Sequence, residues 1–137
     1  TVLAAGVHIG GKKIAVVGTH LEVKSSSTRQ KQSKMITDFI RDAVAPNYAE
    51  YIVGGDMNAC WNSDAVKNFM SDGQMKEVFS ALKAPYPKYT CWAGTTIDFL
   101  LANSKLAGNL AGAYNYHTVA SDHLPVIADI LLDAAKD

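Results

Sequence analysis

The 137-residue chain is long enough for one domain with a single core, since domains cluster at roughly 100 to 150 residues, and too short for two. Thirteen basic and thirteen acidic side chains cancel, so no bulk positive field gathers a phosphate backbone, and the only basic cluster, Lys24 to Lys34 with Arg29 and Lys31, reads as a solvated helix start. No stretch approaches the roughly 18 apolar residues that span a bilayer, and Cys60 and Cys91 lack the CxxC spacing of a zinc site.

The hydrophobic fraction of 48% and the charged fraction of 19% are globular, with less charge than the usual value of about 25%. Two isolated thiols are expected. No signal-peptide pattern is present, and the compartment, cytoplasmic or exported, stays open.

In chain order, Val2 to Ile9 and Lys13 to Leu21 are β-rich runs joined by Gly10-Gly11, a pair suited to the positive backbone angles of a hairpin turn. Ser26, Ser27 and Thr28 offer helix caps, with Gln30 completing a capping box from Ser27. Met35, Ile36, Phe39, Ile40, Ala43 and Val44 recur at three and four, a stripe that belongs on a sheet. Pro46 stops that helix. Glu50 to Val53 forms a strand, and Gly54-Gly55 hands Asp56 to a loop.

Asn62 or Ser63 caps a short helix through Met70, with Val66, Phe69 and Met70 inward, and Gly73 ends it. A second short helix is expected over Met75 to Leu82. Ala84 to Tyr89 is a loop, and Thr96 to Ala102, Ala113 to Val119 and Val126 to Leu132 read as strands. Strands in hairpins, mixed with helices that each carry one apolar stripe, indicate an α/β layer with a largely antiparallel or mixed sheet and helices on one face. The other face is expected to carry Ile14, Val16, Ile97, Phe99 and Leu101, and an exposed apolar area of that kind marks a contact site.

The rare polar groups sit where these runs end. His20 follows IAVVGT, Asp56 and Asn58 follow YIVGG, Asp98 follows TTI, and Asp122-His123 precedes LPVIADILL. Such groups at strand ends can converge on one edge of a sheet. An imidazole is normally oriented by a carboxylate on its second ring nitrogen, and Asp98 is the candidate to orient His123. His8 and His117 are expected in structural or rim positions. Arg29 and Gln32 share a helix face at i and i+3, and Trp61, Tyr86, Tyr89 and Trp92 lie in or beside the loops on the site side, where aromatics can stack on a base or sugar.

Thr19-His20-Leu21, Gly55-Asp56-Met57-Asn58, Ile97-Asp98-Phe99 and Ser121-Asp122-His123-Leu124-Pro125 resemble the last four signature blocks of the endonuclease/exonuclease/phosphatase superfamily, the deoxyribonuclease I-like phosphoesterases. The resemblance implies the C-terminal half of a four-layer α/β/β/α sandwich, with residues 1–137 as a single domain or half-domain. It implies metal-dependent hydrolysis of a phosphate ester, a phosphodiester or phosphomonoester, by in-line attack of water. Asp56 would orient or deprotonate that water, Asn58 would bind phosphate oxygen, His123 backed by Asp98 would face the phosphoryl group, and His20 would bind phosphate or donate a proton. Asp122 would contact Mg2+ or Mn2+, with Arg29, Trp61 and Trp92 against substrate.

No Glu precedes Glu22, so the family's metal-binding glutamate and an earlier asparagine are expected on an N-terminal half in the same or another chain. A homo-oligomer is a further way to cover the apolar face. Substrates consistent with the resemblance are a phosphorylated small molecule, a lipid head group or nucleic acid. A non-catalytic binding or assembly module derived from such an enzyme is the rival reading.

Overall fold

The computed structural model describes residues 1–132. Strands β1 (Val2–Ile9) and β2 (Lys12–His20) form a hairpin, followed by α1 (Ser26–Phe39), a π-helical turn (Ile40–Val44) and β3 (Glu50–Asp56). Helix α2 (Asp64–Ser71), strand β4 (Met75–Glu77), α3 (Val78–Leu82), β5 (Asp98–Asn103), α4 (Ser104–Ala107), β6 (Leu110–Asn115) and β7 (Val126–Ile130) complete the order. The main sheet runs β1-β2-β3-β5-β4, and β6 pairs with β7 in a second, two-stranded sheet. The β2–β3 pair is parallel; the others are antiparallel.

The hairpin turn behaves as its residues require, with Gly10 and Gly11 at φ 55° and 78°, the left-handed region that costs glycine least. Ser25, rather than the three residues after it, caps α1 by accepting the Thr28 N–H at 3.2 Å. The expected stripe divides: Ile36, Ile40 and Val44 enter the core, whereas Met35 is 70% exposed and Phe39 and Ala43 lie toward solvent. Positions four apart stay on one face, and the wider set exceeds what a single sheet covers.

Period-two alternation sorts the sheet into two faces. On one, Ala15, Val17, Val53, Phe99 and Leu101 meet Ile36 of α1, Ile40 and Val44 of the π-helical turn, and Ala65, Val66 and Phe69 of α2. On the other, Ile14, Ile52 and Ala102 meet Val78, Phe79 and Leu106, with the β6–β7 hairpin packed against them. Each fully buried side chain among these stabilises the fold by about 1.5 to 3 kcal/mol relative to exposure.

This arrangement corrects the grouping expected for the uncovered face. Phe99 and Leu101 belong to the helix side; Ile14 is on the opposite face but buried, and Val16 remains 43% exposed beside Leu3 at 72%. Segment 75–82 is also two elements. Met75 and Glu77 are buried with Lys76 outward, a strand alternation paired to β5, and Glu77 then caps α3 by accepting the Ser80 N–H at 2.9 Å. The sixth strand begins at Leu110 and ends at Asn115, so Tyr116 to Val119 is loop. Both thiols are free, Cys60 exposed and Cys91 buried.

Candidate active site

The register that builds the core also aligns the polar groups. His20 pairs with Asp56 across the parallel β2–β3 ladder, and Asp56 pairs with Asp98 across the antiparallel β3–β5 ladder. One rung of the sheet therefore carries an imidazole and two carboxylates. By the same alternation, all three share the face of Ile14, Ile52 and Ala102.

Close approach of β2 and β3 at this rung depends on Gly55, whose φ is 145°. A Cβ there would lie 1.8 Å from the Thr19 carbonyl oxygen. Leu21 N–H then bonds the Asp56 carbonyl at 3.0 Å and Met57 N–H bonds that of Ile97 at 2.8 Å. These bonds tie the outgoing loops to the rung.

His123 arrives from a separate segment. Cys91 and His123 form an isolated antiparallel bridge, Trp92 N–H bonds the Asp122 carbonyl at 2.9 Å, and Leu124 N–H bonds that of Thr90 at 2.7 Å. This short ladder places His123 Nδ1 3.1 and 3.0 Å from the two Asp98 carboxylate oxygens. With Nδ1–H donating to Asp98, Nε2 is the free nitrogen. It lies 4.0 Å from Asp56 Oδ2, which is 3.5 Å from His20 Nε2. One carboxylate oxygen thus stands between two imidazoles.

Thr90, which no sequence motif singled out, fixes Asp98 from behind. It is fully buried, donates to Asp98 Oδ2 at 2.7 Å, and accepts the N–H groups of Ile97 and Asp98 at 3.0 and 3.1 Å. A lone threonine in a loop rich in Pro and Tyr carries no periodic signal, so only the fold reveals its role.

Burial alone would lower the His123 pKa. The hydrogen bond to Asp98 and the charges of Asp98, Asp56 and Asp122 outweigh that cost and hold the imidazole above its ordinary value.

Asn58 has a left-handed backbone, φ 47°, a region in which asparagine is enriched. Its N–H bonds Asp56 Oδ1 at 2.7 Å and its side-chain amide bonds the Leu21 carbonyl at 3.0 Å. One amide donor is therefore committed to the scaffold, and the second has no partner among the described residues. Asp122 is exposed and, among the described residues, accepts only the Ser121 hydroxyl, at 3.4 Å. Arg29 Nη1 donates to the Glu22 and Val23 carbonyls at 3.0 and 2.9 Å, and Gln32 accepts Glu22 N–H at 2.8 Å; both brace the loop after His20. Trp61 and Trp92 are more than half exposed. His8 and His117 lie outside the cluster, on β1 and in the exposed loop after β6.

Ligand atoms of Asp56, Asp98 and His123 lie within 4.8 Å of one another, a set that could hold a divalent cation. Beside it an open cleft of about 500 Å³ is lined by Gly55, Asp98, Ser121 and His123. No helix among the described residues is long and apolar enough to cross a membrane.

A mixed sheet with an imidazole and two carboxylates on one rung, and a second imidazole brought against them from a neighbouring loop, defines a class as well as a site. The model of the endonuclease/exonuclease/phosphatase family matches residues 6–123, and the chain belongs to that family. Among curated proteins it is similar to sphingomyelinase C of Bacillus cereus, 32% identical over 122 residues that cover 80% of this chain and 35% of that protein. The chain thus spans about a third of the length of this relative. Among solved structures it resembles the human Nocturnin catalytic domain with bound sulfate anion, TM-score 0.72 at 19% identity, covering 95% of this chain and 53% of that one. Beta toxin of Staphylococcus aureus gives TM-score 0.66 at 16% identity, covering 95% and 57%. These two likenesses are of fold.

Proposed function

We propose that this chain supplies the His, Asp and Asn part of a metal-dependent phosphoesterase site that hydrolyses a phosphate ester by in-line attack of water. The observation that carries the reading is the triangle of Asp98, His123 and Asp56. One carboxylate holds an imidazole through Nδ1, while an oxygen of the other stands on the Nε2 side of that imidazole, between it and His20. A structural ion pair needs the first carboxylate and has no use for the second.

Asp56, its Oδ1 pinned by the Asn58 N–H, presents Oδ2 to orient the attacking water and accept its proton. His123, kept in one tautomer and orientation by Asp98, directs Nε2 at the phosphoryl oxygen. His20, 64% exposed at its side chain, donates to the oxygen charge or leaving group from the other side. The free amide donor of Asn58 binds phosphate oxygen. Arg29, Trp61 and Trp92 would contact substrate from the rim.

Carboxylate oxygens suit a hard ion such as Mg2+ or Mn2+ better than a soft one. Asp122 would hold it, from a side chain whose one hydrogen bond among the described residues is to the Ser121 hydroxyl. When bound, such an ion neutralises charge on the phosphoryl oxygens. Leu3, Val7 and Val16 form an apolar area on the site face, and in the whole protein a further sheet carrying the remaining ligands would pack there, beside the β6–β7 hairpin.

Similarity to sphingomyelinase C and the absence of net charge favour a phospholipid or small phosphodiester over nucleic acid. Turnover of bis-p-nitrophenyl phosphate by the full-length protein should be abolished by chelator, by Asp56→Asn and by His123→Ala. Full activity in both variants would remove the assignment.

A further inference from the structure

A separate cavity lies at the β4 edge of the main sheet. Its volume is about 550 Å³, and its walls include Met70, Met75, Lys76, Glu77, Ser80 and Ser104. Glu77 stands opposite Leu101 and Met75 opposite Asn103 on β5, the strand that starts at Asp98. At about 3.3 Å per residue, those pairings lie roughly 10 to 16 Å along the strand from the rung of Asp56 and Asp98. A ligand here would not be the ester held by that rung.

Glu77 is the informative wall. It is 2% exposed, and its Oε2 accepts both the Ser80 N–H at 2.9 Å and the Tyr86 hydroxyl. Its Oε1 is, among the described residues, the one buried side-chain nitrogen or oxygen without a hydrogen-bond partner. Capping α3 and holding Tyr86 employ one oxygen, so neither role accounts for the second. A buried acceptor left unpaired is costly and rare in native proteins. A carboxylate oxygen is matched most strongly by a charged donor.

The other charged wall decides what kind of molecule brings that donor. Lys76 is exposed and has no ion-pair partner within 4.0 Å among the described residues. Strand alternation sends Lys76 outward and Glu77 inward, and the cavity reaches both. A plain amine would satisfy Glu77 but meet the Lys76 ammonium. A divalent cation would find one carboxylate where it takes six or more oxygen ligands. A molecule with an ammonium at one end and a carboxylate at the other answers both walls. Met70 and Met75 offer unbranched thioether chains that adapt to an aliphatic body between those ends. We propose that this cavity binds a small aliphatic zwitterion of the ω-amino acid type, its ammonium on Glu77 Oε1 and its carboxylate on Lys76.

Binding can be tested without reference to ester hydrolysis. The probe 5-aminopentanoate carries both charges, whereas pentylamine and pentanoate carry one each. Titrated calorimetrically into the full-length protein in chelator at neutral pH, 5-aminopentanoate should bind at least about tenfold tighter than either analogue. Glu77→Gln, which keeps an oxygen for Ser80 and Tyr86, should weaken it about tenfold, and Lys76→Gln, at an exposed position, should bring it level with pentylamine. In amide NMR spectra the probe should shift Ser80 and Ser104 and leave Asp98 and His123 in place. Equal binding of the three compounds, binding of none, or shifts confined to Asp98 and His123 overturns the site. Selectivity unchanged in Lys76→Gln does so as well, whether or not Glu77→Gln folds.

Discussion

Replacing Thr90 with valine keeps the volume of a fully buried side chain and deletes one hydroxyl. That hydroxyl makes three hydrogen bonds, donating to Asp98 Oδ2 and accepting two backbone N–H groups. A hydrogen bond to a charged group contributes about 1.5 to 3 kcal/mol, and a buried donor left unpaired costs about 1 to 3 kcal/mol. Partial relaxation of the 90–98 loop offsets part of that sum, so Thr90→Val should destabilise the protein by about 2 to 4 kcal/mol. Thr90→Ser retains the bonds and loses one buried methyl, which costs about 0.8 kcal/mol. Urea unfolding in the presence of chelator measures both. If the full-length protein has the proposed phosphoesterase activity, Thr90→Val should lower kcat about tenfold with little change in KM, because the change loosens the carboxylate that aims His123, and serine should restore kcat. Equal stability and equal kcat in the valine and serine variants would refute the argument that the hydroxyl, rather than the packing of the side chain, holds Asp98.

Gly55→Ala should destabilise by more than about 2 kcal/mol, since the new methyl would collide with the Thr19 carbonyl in a backbone region that alanine rarely adopts; thermal unfolding reads this directly, and an unchanged midpoint would contradict the close approach. His123 has a raised pKa, so the stabilisation from its pairing is fully present below the ordinary imidazole value near 6.5 and is lost as pH rises through the folded value. In chelator, the stability difference between wild type and His123→Gln should therefore be larger at pH 5.5 than at pH 8.5, and a difference independent of pH would rule out that coupling. Phe69→Ala should cost about 3 to 5 kcal/mol, measured by urea unfolding, because the ring is fully buried between α2 and the sheet.

What the sequence disclosed was each strand taken separately. His20, Asp56 and Asp98 were legible because each borders a β-rich run, and the pairing of Asp98 with His123 followed from the chemistry of imidazole. The relative phase of the strands was not legible. Ile14 and Val16 alternate correctly along β2, as do Phe99 and Leu101 along β5, but only the pairing of Ile52 with Ala102 and of Val53 with Leu101 shows that the two sets face opposite ways. Met75 to Leu82 departs from the single helix its spacing predicts for a related reason. Its spacing of apolar residues suits a helix, whereas the buried Glu77 caps one, so the helix begins after it.

His20 and Asp56 end two parallel strands, while Asp98 begins the antiparallel strand beside them. Two exits and one entry thus meet at one latitude of the sheet, joined by the backbone hydrogen bonds of the two ladders. Residues 60–62 and 84–88 lie outside the bonds that fix Asp98 and His123 and can be lengthened, shortened or re-lettered while the rung stays in place. Selection on what is recognised can therefore proceed almost independently of selection on how the bond is broken, a separation of inheritance written into strand direction.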